Sequence, residues 1–246
     1  MVDFRYHALS LVAVFLALGI GIVLGVTVGD SLVSQADQNL RDSLRDDVTE
    51  AREDVRNEQD LGSRREDVIE ETAPIVAGGQ LTGLRVGVLS FGEVPAEVVD
   101  AVDDAAEMGG ATLVRTVELT PPERLDRRLR ALRRRGASLV ERRLSALDRV
   151  VVYREPPPED EADEDRESRE ALSEGALVRL RRPVAVEMVA TDPSQVGWYE
   201  DEGIASVDNV DAIAGQLALV LLLADGRPEG AYGYKDTADR ALPDLP

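Results

Sequence analysis

The chain has 246 residues, and its 48 acidic and 28 basic side chains give a net charge of −20 at pH 7. A molecule this acidic repels polyanions, so we expect no nucleic-acid partner. Cysteine is absent and His7 is the single histidine, which excludes disulfides, thiolate metal sites and cysteine nucleophiles. Lys235 is the single lysine, and this acid-rich, lysine-poor composition is typical of halophilic proteins, whose self-repulsion is screened over about 3 Å in molar salt.

The first predicted element is a membrane anchor. The segment from Ala8 to Gly29 is uncharged and has 22 residues, against the roughly 20 residues that span a bilayer. The alternative is a cleaved signal peptide, whose apolar core has about 7–15 residues. The length favours a retained transmembrane helix in residues 1–30. Because the leader before it is short, we expect a single-pass protein of the cell membrane with a cytoplasmic N-terminus and an extracytoplasmic C-terminal domain.

One face of this anchor carries small residues. Ala17, Gly21, Gly25 and Gly29 recur every four positions, a spacing that lets two helix backbones approach closely. The alternative is the ordinary use of glycine in spanning helices. The spacing predicts a helix–helix interface between copies of the chain.

A charged segment, residues 31–73, follows the anchor. Its apolar or small residues recur about every 3.7 positions, which is a helical period close to the eleven-residue repeat. We define this stalk stripe as Val33, Ala36, Leu40, Leu44, Val48, Ala51 and Val55. It predicts an oligomeric coiled-coil stalk, with a single solvated helix as the alternative. Gly62-Ser63 is a predicted interruption, and Pro74 is the predicted end of the stalk.

Residues 74–246 alternate between strand and helix patterns. Strands are predicted at 85–90, 112–119, 149–153, 184–190 and 204–207, and helices at 95–108, from 121, at 168–180 and at 210–224. Such alternation indicates a parallel sheet covered by helices on both faces. The predicted fold class is therefore α/β: an N-terminal transmembrane helix, a coiled-coil stalk and a Rossmann-like ectodomain. The last helix is too short and too interrupted to span a bilayer.

Two stretches of this domain have strongly biased charge. Residues 155–170 begin Glu-Pro-Pro-Pro and contain nine acids, which predicts a disordered acidic insertion. Residues 123–149 contain ten arginines and four acids. These arginines have three alternative partners: the acids of the chain itself, an acidic partner, or anionic lipid.

Familiar catalytic motifs are missing from the sequence. There is no GxGxxG, P-loop or GxSxG, and His7 is too far from the α/β domain for a triad or a histidine–carboxylate metal site. We therefore predict no catalytic, cofactor-binding or metal-binding residues, no cofactor, and no enzyme activity. One segment is rich in polar side chains at the point where a predicted strand ends and a predicted helix begins. It contains Ser206, Asp208, Asn209 and Asp211. These residues are predicted either to bind a ligand at the strand ends or to cap the last helix.

The two ends of the chain resemble one known family. The start, Arg5-Tyr6-His7-Ala8-Leu9-Ser10-Leu11-Val12, and the ending, Ser206-Val207-Asp208-Asn209-Val210-Asp211 with Gly230-Ala231-Tyr232-Gly233-Tyr234, are similar to the mycobacterial copper transport protein B (MctB) family. The order of anchor, stalk and α/β domain also agrees. The resemblance implies a membrane or envelope protein of copper transport and homeostasis, and a membrane-protein partner.

The residues and the resemblance together predict a non-catalytic, envelope-facing assembly module that self-associates through anchor and stalk. Copper(I) prefers thiolate or thioether ligands and copper(II) prefers imidazole, and the chain has few of either. The alternative is a small-ligand sensor or an enzyme that uses the segment from Asp208 to Asp211. A polar pocket at the strand ends would favour that alternative, and a filled crevice would favour the assembly module.

Overall fold

A computed structural model describes residues 4–120, 129–158, 160–225 and 227–244, and the side chains of residues 4–6, 26–43, 129 and 130 lie outside that description. The chain divides into two compact units, Met1–Ser63 and Arg64–Pro246. The first helix, α1, runs over Phe4–Ala77. Over His7–Gly25 it is long and apolar enough to cross a membrane, with a mean hydropathy of 2.6.

The end of α1 differs from the prediction. Neither Gly62-Ser63 nor Pro74 ends the helix, which continues to Ala77. A proline inside a helix removes one hydrogen bond and strains the preceding turn. Here the last turns of α1 supply Ala73 and Ala77, both fully buried, to the core of the second unit. Packing against that core outweighs the local cost of the proline.

The second unit holds one six-stranded sheet. Its strands are β1 (Arg85–Phe91), β2 (Thr112–Leu119), β3 (Arg149–Arg154), β4 (Val184–Val186), β5 (Ala205–Val207) and β6 (Ala231–Tyr232). The helices that connect them are α2 (Ala96–Gly109), α3 (Leu129–Arg143), α4 (Asp163–Leu177), α5 (Val196–Asp201) and α6 (Ile213–Ala224). All pairings are parallel, in the order β2-β1-β3-β4-β5-β6.

Two hydrophobic clusters cover the two faces of the sheet. On one face, Val86, Val151 and other strand residues pack with the end of α1, with α2 and with α6. On the other face, Leu89, Val152 and their neighbours pack with α3, α4 and α5. In β1, β3 and β4, successive side chains point to opposite faces, so each of these strands contributes different residues to the two clusters. This three-layer arrangement confirms the predicted α/β class with a Rossmann-like parallel sheet.

The acidic stretch 155–170 is not wholly disordered, contrary to the prediction. Helix α4 begins at Asp163, five residues before its predicted start, and Asp163, Glu164 and Asp165 occupy its first turn. Carboxylates at a helix N-terminus interact favourably with the helix dipole. Ser168 and Arg169, inside the same stretch, are buried. Helix formation and burial of one face therefore order half of a segment whose composition predicts disorder.

Other boundaries also shift. β4 ends at Val186 rather than residue 190, and α6 begins at Ile213 rather than residue 210. The short elements α5 and β6 have no counterpart in the predictions. The predicted helix start at residue 121, after Thr120, lies outside the described residues. Short elements escape prediction because a few residues do not establish a period.

Candidate functional site

The predicted strand-end site lies at the carboxyl ends of β4 and β5, and the chain's own C-terminal segment fills it. Asp208 is 1% exposed. Its Oδ1 accepts a hydrogen bond from the backbone N–H of Tyr234 at 2.8 Å, and its Oδ2 accepts one from Lys235 at 3.0 Å. The carboxylate therefore holds the C-terminal segment against the sheet.

Gly233 makes this contact sterically possible. Its φ is +143°, and a Cβ placed there would lie 1.7 Å from Asp208 Oδ1. Any side chain would both strain the backbone and displace the carboxylate. The glycine between two tyrosines in the Gly230–Tyr234 motif is thus explained by the close approach of Asp208.

A buried ion pair stands beside Asp208. The side chain of Glu187, which directly follows β4, is fully buried. Its Oε1 accepts from Lys235 Nζ at 2.5 Å and from Ser194 Oγ at 2.8 Å, and its Oε2 accepts from the N–H of Gln195 at 2.7 Å. Lys235 Nζ also donates to the carbonyl of Thr191 at 2.9 Å. The single lysine of the chain therefore neutralises a fully buried carboxylate.

The other predicted residues make separate structural contacts. The Ser206 N–H donates to the carbonyl of Gly230 at 3.0 Å, and Asp211 Oδ1 accepts from the Val189 N–H at 2.9 Å. Asn209 is fully buried, with no hydrogen-bond partner for either polar side-chain atom among the described residues. A Cβ on Gly215 would lie 2.0 Å from the Asn209 carbonyl oxygen, so this glycine lets α6 pack directly on the loop.

Capping of α6 by Asp208 or Asn209 is not what the structure shows. The N-cap residue is Ala212, and no side chain makes a capping hydrogen bond there. The Asp208 carboxylate already bonds to the C-terminal segment. Within the described part of the chain, no group of three or more metal-ligating His, Asp or Glu side chains is found.

Sequence reasoning found Asp208 but missed Glu187 and Lys235. Two signals were present: Glu187 interrupts an apolar strand, and Lys235 is the single lysine among 28 basic residues. The two residues are 48 positions apart. Their pairing depends on β6 following β5 in the sheet, which no local pattern indicates.

The topological switch point of the sheet lies elsewhere, at the carboxyl ends of β1 and β3. The chain leaves β1 toward β2 and returns to β3 on the other side, and ligands of open parallel sheets bind at such points. Here Glu155 Oε2 accepts from the Glu93 N–H at 2.9 Å, and a Cβ on Gly92 would lie 2.2 Å from that same oxygen. Part of this crevice is occupied by the chain's own carboxylate.

A cavity of about 470 Å³ lies at the opposite edge, near the amino ends of β3 and β4. Its lining includes Leu144, Leu147, Arg149, Arg179 and Arg181. It contains none of the residues of the predicted strand-end site, so it does not provide the polar pocket that the ligand hypothesis requires there.

Some of the described arginines in residues 123–149 bond to other residues of the same chain. Arg133, in α3, pairs with Glu174 of α4 at 2.5 Å. Arg149 Nε donates to the Leu223 carbonyl at 2.6 Å. These contacts favour the first alternative, pairing within the chain. Arg124, Arg127 and Arg128 lie outside the described residues.

The small face of the anchor is open in the single chain. Gly21 and Gly25 have no atom within 4 Å of an added Cβ. Ala17 is exposed in the same helix. Gly29 belongs to α1, but its surroundings lie outside the described part of the chain. The structure thus places these small residues on one continuous helix and leaves the face available to another helix.

Comparison with protein families finds a match. The family model "Copper transport outer membrane protein, MctB" matches residues 1–139. Comparison with curated proteins finds no match. The matched region comprises the anchor, the stalk, β1, α2, β2 and part of α3, which is more than half of the chain. It does not include the Asp208 site. The chain therefore belongs to the MctB family, whose description is copper transport outer membrane protein.

Proposed function

We propose that this chain is a non-catalytic assembly module of the copper-transport system to which its family belongs, anchored by one helix with its N-terminus in the cytoplasm and its α/β domain outside. The observation that carries the proposal is the apolar face of α1 beyond the anchor. Leu44 and Val55 are 53% and 57% exposed. Apolar side chains repeated on one face of a charged helix are normally covered by another helix.

A second copy of the chain is the partner that fits this face best. All copies enter the same membrane in one orientation, so their stalks run parallel and bring the same stripe positions together. The adjoining anchor offers the small face at Gly21 and Gly25, which supports the same association. Another membrane protein remains the partner that the family resemblance implies.

The filled strand ends support a role without catalysis. Asp208 and Glu187 are engaged by Tyr234, Lys235 and Gln195, and their oxygens therefore stabilise the fold. The alternative, a sensor or an enzyme at Asp208–Asp211, would require this C-terminal segment to leave the site.

Direct copper carriage has little support from the side chains. Besides Met1, the soft or imidazole ligands are His7, Met108 and Met188. Both Met108 and Met188 pack at the edge of the hydrophobic cluster that contains α2 and α6. We infer that the module supports copper homeostasis by assembly rather than by holding the ion.

A cross-linking experiment tests the stalk. The chain has no cysteine, so a single Val48→Cys substitution can form a disulfide only between two chains. We expect strong oxidative dimer formation in membranes for Val48→Cys and little for Glu50→Cys, which faces the opposite side of α1. Equal cross-linking at both positions, or none at either, would contradict the parallel stalk.

A paired substitution tests the anchor. Gly25→Ile should reduce chemical cross-linking of the otherwise unchanged chain by several-fold, because a branched side chain keeps the backbones apart. Gly19→Ile is the matched control, since Gly19 lies in the same span with no atom near an added Cβ but off the four-residue repeat. Equal loss in both variants would mean that the repeat is not the interface.

Copper(I) titration against a competing chelator tests the proposal that the chain does not hold the copper ion itself. We expect the full chain in detergent to show no stoichiometric site of sub-nanomolar affinity, because thiolates are absent and thioethers are few. A stoichiometric tight site would contradict this proposal and would indicate that the chain binds copper directly.

A further inference from the structure

Two buried arginines lie near the switch point between β1 and β3. Arg154 is the last residue of β3 and is 7% exposed, and Arg169, from α4, is 8% exposed. Buried arginines are rare and are normally paired with carboxylates. The contacts of these two guanidinium groups therefore show whether each buried charge has a carboxylate partner.

Arg154 has no carboxylate partner among the described residues. Its Nη1 donates to the neutral Oε1 of Gln195 at 3.0 Å, and its guanidinium lies 4.4 Å from the centroid of the Trp198 ring. A cation over an indole ring is stabilised, but the part of the chain that the structure describes places no carboxylate in direct contact with it. Burial, and then the nearby charge of Arg169, lower the pKa of Arg154.

Arg169 is only partly satisfied. Its Nη2 binds the carboxylate of Glu161, and its Nη1 donates to the Glu155 carbonyl at 3.4 Å. Its Nε is buried and has no hydrogen-bond partner in the described structure. A buried donor without an acceptor destabilises the folded state. Among the described residues, Glu161 is thus the one carboxylate in direct contact with either of the two buried guanidinium groups.

We propose that Arg154 and Arg169 form a binding site for a small anion carrying a carboxylate or a phosphate group, and that Glu161 occupies part of this site when the anion is absent. The anion would pair with Arg154, which contacts no carboxylate in the described part of the chain, and supply the acceptor that Arg169 Nε lacks there. Its position agrees with the general location of ligands in parallel sheets. This function is separate from the assembly role, and the outcome of the cross-linking experiments does not affect it.

The single tryptophan of the chain provides a direct readout. Trp198 lies against Arg154, so an anion at this site changes its fluorescence. The probes are inorganic phosphate and succinate, each titrated into the full chain in detergent at constant chloride and ionic strength. We expect a saturable fluorescence change, and the probe that produces it identifies the ligand class as phosphate or carboxylate.

Substitutions identify the groups involved. Glu161→Gln removes the internal competitor and should tighten apparent binding about tenfold, since the competent fraction rises. Glu167→Gln, an equal charge change on the exposed side of α4, is the matched control and should leave the affinity unchanged. Arg169→Lys keeps the charge but loses the Nε donor and should weaken binding about tenfold, with circular dichroism confirming the fold.

Two results would overturn the proposal. One is the absence of a saturable response in both the parent chain and Glu161→Gln, which needs no disruptive substitution. The other is equal tightening by Glu161→Gln and Glu167→Gln, which would mean that overall charge, rather than the two arginines, governs the response.

Discussion

Replacing Lys235 with methionine should lower the free energy of unfolding of the α/β domain by about 3–5 kcal/mol, because it leaves a buried charge without its partner. Glu187 is fully buried, and Lys235 Nζ is 2.5 Å from its Oε1. Methionine retains most of the aliphatic length of lysine, so the change isolates the charge. Denaturant unfolding followed by Trp198 fluorescence measures the loss.

The second partner supplies the control for this prediction. Glu187→Gln alone removes the charge but keeps one acceptor oxygen, and the double variant Lys235→Met with Glu187→Gln should recover a large part of the stability lost in Lys235→Met. This recovery is the coupling that a double-mutant cycle measures. Additive effects of the two substitutions would show that the pair is not coupled.

Substituting alanine for Gly175 should destabilise the domain by about 3 kcal/mol, at the upper end for an overpacked site. Helices α3 and α4 cross where Gly175 and Gly136 face the other helix's backbone. A Cβ on Gly175 would lie 2.0 Å from the Arg133 carbonyl oxygen, and one on Gly136 would lie 2.2 Å from that of Leu172. Since backbone atoms cannot rotate away, the two helices must separate.

Gly197 provides a matched helical control. It lies in α5, and an added Cβ would meet nothing within 4 Å. Alanine there should be neutral or stabilise the domain by up to about 1 kcal/mol, the difference in helix propensity. Thermal unfolding of both variants measures the two effects. A Gly175→Ala variant as stable as Gly197→Ala would mean that α3 and α4 have room for a side chain at their crossing.

The predicted limits of β1, β2 and β3 agree with the structure to within one residue. β1 and β3 are apolar runs bounded by glycines or charges, whereas β2 also contains Arg115 and Glu118. The prediction of disorder for residues 155–170 was wrong in part, because composition gives only the average hydrophobicity of a segment. Burial of Ser168 and Arg169 depends instead on which face of α4 meets the sheet.

The strand-end site shows a similar division. The sequence indicated Asp208 through its position after a strand, but its partners come from residues 26 and 27 positions later. Asp208 was predicted either to bind a ligand or to cap the last helix. In the structure its carboxylate binds the chain's own backbone instead. The two buried arginines had no sequence signal at all, because they belong to a chain in which 27 of the 28 basic residues are arginine.

The sequence by itself determined the anchor, the helical period of the stalk, the α/β class and the family, because each depends on the spacing of residues near one another in the chain. Only the tertiary structure decided that α1 passes Pro74, that Lys235 neutralises Glu187, that α3 and α4 touch at glycines, and that Arg154 and Arg169 lie near one switch point. These features depend on strand order and on burial. Both arise from contacts between distant segments, whose packing and electrostatic energies outweigh local propensity.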